Sequence, residues 1–433
     1  MDNDLIAVLG FIALFALMLL RVPVGMAMGL VGITGYAVLS GAGPALKLVG
    51  QTSLRTVTDY NFGVIPMFML MGAFVSVSGL SREMFQAANS LIGHVRGGLG
   101  AATVLACGGF SAICGSSVAT AATFSSVAYP EMRRYGYPQS FATGVIAAGG
   151  TLGIMIPPST VLAVYAILTQ QDIGKLFVAG LIPGLLAILM YVLTIVVIVR
   201  MRPNWLPAGH LRPWGERVRD FKAVWAPLVL FIFVIGGLYG GLFTPTEAGG
   251  VGACGAFILG LVRGKLDRPK VKEALLSSTR TSAAVFTILI GALMFGYFLT
   301  ITQTPQKIAG FLTGMGIGAY GVLMLILVMY LILGCLMDAM AMIILTVPII
   351  YPVIVQLGFD PIWFGVIIVM TVELGLITPP VGMNVFVIKS VLPENSFSTI
   401  YRGVSPFVVT DIIRLAILVA FPAISLWLPK TMG

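Results

Sequence analysis

A double proline inside an apolar stretch recurs in this chain at an offset of 222 residues, from Pro157-Pro158 to Pro379-Pro380. Proline removes a backbone donor and interrupts a helix, so each pair forces a break where the flanking residues are too apolar for an ordinary surface loop. The surroundings recur with it: Tyr129-Pro130 and Tyr351-Pro352, Gly136 and Gly358, Gly153 and Gly375. Pro23 and Pro245 keep the same offset, as do Pro207 and Pro429. With 24 prolines in 433 residues, chance puts fewer than one proline on another at a given offset, so the pattern reads as an internal repeat. Paired interruptions at matching places in two apolar halves point to the binding site of a secondary transporter.

Composition sets the environment. Hydrophobic residues make up 58% of the chain and charged residues 9%, and uncharged stretches such as 176–199, 223–246 and 281–306 each suffice for a membrane-crossing helix. The chain reads as an all-α polytopic membrane protein. Leu5–Leu20 leads directly into further apolar segments and does not resemble a cleavable leader. The net charge of +9 sits mainly in Arg200–Lys222 and Arg263–Arg280, where it reads as a topology determinant and not as a nucleic-acid surface. The four cysteines have no metal-like spacing, His94 and His210 lie apart, and no G-x-x-x-x-G-K-[ST] loop is present for ATP.

Residues 97–130 carry no charge, yet their middle, Ser111–Ser117, is small and polar. Splitting there leaves arms of about 15 residues, roughly 22 Å long and too short for a core of about 30 Å. A re-entrant helical hairpin fits. A second hairpin follows at 319–356, and discontinuous helices at 140–170 and 362–391. The remaining helices fall near 5–20, 23–40, 62–80, 176–200, 224–242, 246–263, 281–300 and 405–428, with interfacial helices at 81–95 and 267–280. Each unit, 1–222 and 223–433, then crosses five times, which forces two inverted-topology repeats. Arg21, Arg82, Arg96, Arg133, Arg134, the two basic loops, Lys389 and Arg402 fall on one side. Asp2, Asp4, Asp172, Lys175, Glu247, Lys307, Asp360, Lys430 and the segment 41–61 fall on the other, so the positive-inside bias puts both termini outside. Lys47 and Arg55 in 41–61 run against that bias and suit docking of an outer partner.

The chemistry concentrates at the interruptions. Ser111, Gly115, Ser116 and Ser117 bring hydroxyls and a flexible backbone to the first tip, where half-helix ends offer partial charges to carboxylates or cations. The plain alternative is that a serine only caps the second arm. Asp338 falls on Ser116 under the offset and is the lone carboxylate of 308–359; an acid at that depth is either functional or a cap. Glu373 falls on Thr151, while Thr378 and Asn384 flank the second break. Thr244-Pro245-Thr246-Glu247 reads as a capping box.

These motifs resemble the DctM-like large membrane subunit of tripartite ATP-independent periplasmic (TRAP) transporters. The resemblance rests on Gly115-Ser-Ser-Val-Ala119, Gly150-Thr-Leu-Gly-Ile-Met-Ile-Pro-Pro-Ser159, Arg21-Val-Pro-Val-Gly25, Phe243-Thr-Pro-Thr-Glu-Ala248 and Leu376-Ile-Thr-Pro-Pro-Val-Gly382, and covers nearly the whole chain. It implies Na⁺-driven uptake of a small organic acid, plausibly C4-dicarboxylate-like, by an elevator mechanism in the bacterial inner membrane. It also implies a small four-helix membrane partner (Q) and a periplasmic substrate-binding protein (P). One Na⁺ site would involve Ser116, Ser117, Gly153 and Pro158; the other, Met337, Asp338, Gly375 and Pro380. Substrate would meet Ser111, Gly115, Thr120, Ser159, Thr378 and Asn384; Thr120 stands where many relatives carry Asp. The competing readings are a stand-alone Na⁺/anion symporter and an ion channel. An intramembrane enzyme is disfavoured because no His, Cys-His or paired-carboxylate set is apparent in the membrane segments.

Overall fold

The structure is a computed structural model that describes residues 3–432. The first half contains α1 (Asn3–Leu19), α2 (Val24–Ser40), α3 (Ala42–Thr58), α4 (Val64–Val77), α5 (Leu80–Ile92), α6 (Gly98–Cys114), α7 (Ser117–Arg134), α8 (Gln139–Met155), α9 (Thr160–Thr169) and α10 (Ile173–Met201). The second contains α11 (Trp214–Ala223), α12 (Trp225–Tyr239), α13 (Pro245–Val262), α14 (Arg268–Ile301), α15 (Thr304–Gly314), α16 (Gly318–Gly334), α17 (Ala339–Gln356), α18 (Pro361–Ile377), α19 (Met383–Val391), α20 (Phe397–Ala420) and α21 (Ala423–Leu426). Among the described residues an isolated bridge between Arg96 and Ala208 is the only extended pairing. Among the described residues, seven helical segments are long and apolar enough to cross a membrane, and α1, α2, α6, α16 and α18 are shorter apolar helices.

Both hairpins are present, and local chemistry makes them. Gly115 adopts a left-handed φ of 63° at the end of α6, which glycine tolerates without a Cβ clash, and Ser116 is extended and caps α7. Phe110 and Phe124 then meet at 5.8 Å between ring centroids, so α6 and α7 run antiparallel. In the second hairpin Asp338 caps α17, and the Tyr330 and Thr346 hydroxyls meet 2.5 Å apart across α16 and α17. α7 and α17 begin 222 residues apart, as do α8 and α18.

α8 and α18 form the centre of the molecule. Every residue from Phe141 to Met155 and from Trp363 to Ile377 is buried, as expected of helices that are apolar all round. The halves interlock by exchange: α2 lies along α14 and α13 along α4, while α9 packs on α17 and α19 on α7. Glycine permits the closest of these contacts. A Cβ on Gly25 would lie 2.6 Å from the Ile288 backbone, and one on Gly32 would lie 2.5 Å from that of Phe295.

The structure differs from the sequence reading in several elements. The interfacial helix at 267–280 and the membrane helix at 281–300 form one 34-residue helix, α14, because no glycine or proline interrupts residues 270–290. The segment 41–61 is largely the helix α3, with Lys47 and Arg55 exposed on it. The last long helix begins at Phe397 and stops at Ala420 ahead of Pro422, not at 405–428. α11 and α15 are helices where connecting segments were expected. The hairpin arms are 17 and 18 residues long, slightly longer than the sequence reading. Thr244 and Glu247 form the expected reciprocal capping box. Asp2, one of the outer charges, lies outside the described residues.

Candidate functional site at the hairpin tips

At the first tip, the Ser116 hydroxyl accepts from Ala119 N at 3.3 Å, and the Ser116 carbonyl accepts from the Thr120 hydroxyl at 2.8 Å. The α8 break presses on this tip. A Cβ on Gly153 would lie 2.5 Å from the Ser116 carbonyl, and one on Gly115 would lie 2.7 Å from the Pro158 carbonyl. The Thr160 hydroxyl donates to the Gly115 carbonyl at 3.3 Å. The Ser116 and Gly115 carbonyls thus lie beside the α8 break, each accepting from a threonine hydroxyl, and the break presses on the backbone of Ser116 and Ser117.

The second tip repeats this arrangement with a carboxylate. Asp338 Oδ2 accepts from Met340 N at 3.0 Å and from Ala341 N at 3.4 Å, so it is a helix cap. A Cβ on Gly375 would lie 2.7 Å from the Gly334 backbone, and Gly382 N donates to the Cys335 carbonyl at 3.3 Å. The Thr378 hydroxyl is turned back on Leu374 O at 2.5 Å, and Met337 is half-buried. The two breaks differ in access: Pro157 and Pro158 are buried, whereas Pro379 and Pro380 are exposed.

The tips meet at one cavity of about 480 Å³. Gly115, Ser116, Ser117 and Asp338 line it on the hairpin side, facing Ser76 of α4 and Ser277, Ser278 and Thr281 of α14. Among the described residues of that lining, Asp338 is the only carboxylate and no basic residue is present. The α14 hydroxyls were not singled out from sequence; Ser277 and Ser278 lie in the stretch read as an interfacial helix, and Thr281 begins the stretch read as a membrane helix. Ser111, Thr120, Ser159 and Asn384 lie outside this lining and are buried. Ser159 caps α9, and Asn384 reaches across to Ala147 O of the other half at 3.4 Å. The Ser111 hydroxyl and Asn384 Oδ1 have no hydrogen-bond partner among the described residues.

Of a second polar cluster, the sequence reading singled out only Glu373. Glu373 of α18 pairs with Arg414 of α20 at 2.8 Å, Arg414 pairs with Asp411 at 3.0 Å, and the Tyr191 hydroxyl of α10 donates to both Asp411 oxygens at 2.8 and 2.9 Å. All four side chains are fully buried. Paired carboxylates therefore do lie together in the core, contrary to the sequence reading, but around a guanidinium. Two charges three residues apart inside the apolar helix α20 were the available signal.

An all-helical protein with paired hairpin tips and broken helices around one cavity has the architecture of a membrane transporter. The YdaH transporter of Alcanivorax borkumensis has the same fold, with a TM-score of 0.61 at 15% identity over 90% of this chain and 89% of that one. Residues 11–424 match the family described as "Tripartite ATP-independent periplasmic transporter, DctM component". The chain is 41% identical to the C4-dicarboxylate TRAP transporter large permease protein DctM of Pseudomonas aeruginosa, over 88% of each chain. It is 32% identical to the sialic acid TRAP transporter large permease protein SiaM of Vibrio cholerae, over 94% of this chain and 95% of that one. This chain belongs to the DctM component family of TRAP transporters.

Proposed function

We propose that the chain is the Na⁺-coupled permease subunit of a TRAP transporter that carries a small organic acid across the bacterial inner membrane. The carrying observation is the cavity between the tips, with its hydroxyls, its single carboxylate and no basic side chain. An organic anion in such a place needs positive charge beside it, and cations held at the tips supply it. The Pseudomonas relative is named for C4-dicarboxylates, which supports a four-carbon dicarboxylate as the substrate class. The two halves are read as inverted repeats on the charge bias of their loops, with hairpin one entering from the cytoplasm, hairpin two from outside, and both termini outside. On that topology Ser277, Ser278 and the exposed second break face inward, as in an inward-open state of an elevator. The hairpins and broken helices would slide against α2, α4, α13 and α14, which exchange partners across the halves. A four-helix membrane subunit and a periplasmic binding protein complete the machine.

The test is uptake of radiolabelled succinate by proteoliposomes carrying the chain and its small membrane subunit, with the loaded binding protein outside. Uptake that requires the binding protein is expected. Equal uptake without it would make the chain a stand-alone symporter, and ungated ion conductance would make it a channel.

A further inference from the structure

Thr151 and Glu373 occupy the same register in the two halves, each two residues before the glycine that opens a break, and one run of contacts joins them. The Thr151 and Tyr191 hydroxyls are 3.1 Å apart; Tyr191 donates to Asp411, Asp411 pairs with Arg414, and Arg414 Nη2 donates to Glu373 at 2.8 Å. These five fully buried side chains tie α8, through α10 and α20, to α18. Stability alone is a weak reason for such a cluster, since apolar side chains of similar volume commonly pack as well or better. Its position is specific. Gly153 rests against Ser116 and Ser117, Gly375 rests against Gly334 and Cys335, and the cluster holds both helices one half-turn upstream of those contacts.

We propose that Tyr191 and Arg414 are positioning residues that couple the two tips, so that a cation bound at one favours binding at the other. The proposal rests on the Na⁺ reading above. A shift of α8 against the first tip reaches Asp411 through Tyr191, and reaches Glu373 and the second break through Arg414. Coupling of two sites needs such an element, biased by both.

Native cysteines report on each tip without transport: Cys114 lies at the first and Cys335 at the second, both nearly buried. The purified full-length chain is titrated with NaCl against choline chloride at constant ionic strength. N-ethylmaleimide labelling of each cysteine is then read peptide by peptide by mass spectrometry. In the unmodified protein both thiols are protected along one steep curve with a shared midpoint. Tyr191→Phe keeps the ring against Phe407 but removes the bridging hydroxyl, and separates the midpoints by about fivefold or more. The triple variant Glu373→Gln, Asp411→Asn, Arg414→Met leaves no buried charge and separates them likewise. Coincident midpoints in either variant overturn the proposal, because a purely structural cluster would change yield or melting temperature and not the spacing. Two separate midpoints in the unmodified protein overturn the coupling alone; no Na⁺ protection at either thiol overturns the Na⁺ reading and the coupling with it.

Discussion

Ser116 and Asp338 do the same local job on different chemistry, since each caps the returning arm of a hairpin. Capping and ion binding separate by substitution. Asn caps as well as Asp, so Asp338→Asn is expected to fold and reach the membrane but to lose Na⁺-coupled uptake. Unchanged uptake and Na⁺ dependence would leave only the cap. Ser116→Ala loses a cap worth about 1 kcal/mol. Together with Ser117→Ala it is expected to raise the half-saturating Na⁺ concentration several-fold while membrane insertion persists. Gly153 and Gly375 test the close approach of break to tip. Alanine at either must displace backbone, so each variant should cost about 1–3 kcal/mol and lower the melting temperature measured in detergent. The capping residues were legible in the sequence because a cap is chosen by its immediate neighbours. Thr120 and Thr378 were read as substrate groups, yet each hydroxyl is turned onto a carbonyl of its own helix, a choice that sequence alone does not reveal.

At the scale of elements, the hairpins and broken helices were legible because glycine, proline and the loss of apolar character act within a few residues. The long helix α14 was not, because its basic first turns looked interfacial and only a continuous run of helix-forming residues joins them to the membrane segment. α3 was hidden for the opposite reason: its polar residues resemble a loop, and packing against α2 and α14 makes it a helix. The cluster on α10, α18 and α20 joins residues up to 220 apart, and only the fold brings them together. Arg414→Met alone strands two buried carboxylates and is expected to cost about 3–5 kcal/mol. Thermal unfolding of the purified variant, compared with the neutral triple variant, measures this; equal stability of the two would contradict the pairing.

For the whole molecule, the recurring motifs placed the hairpins and broken helices, and the packing of α2 on α14 and of α13 on α4 across the halves supplies what pairwise reading missed: one interlocked frame around α8 and α18. Family membership says which machine the chain belongs to, while the cavity at the tips says how it would be driven. On the proposed reading, an organic anion in a cavity whose lining holds one carboxylate and no basic side chain needs a cation beside it. The decisive measurement is therefore succinate uptake into ATP-free proteoliposomes, with binding protein present, under an inward Na⁺ gradient and under matched Na⁺-free choline conditions. Accumulation with the gradient and its loss in choline is the expected result; equal accumulation in both would contradict Na⁺ coupling.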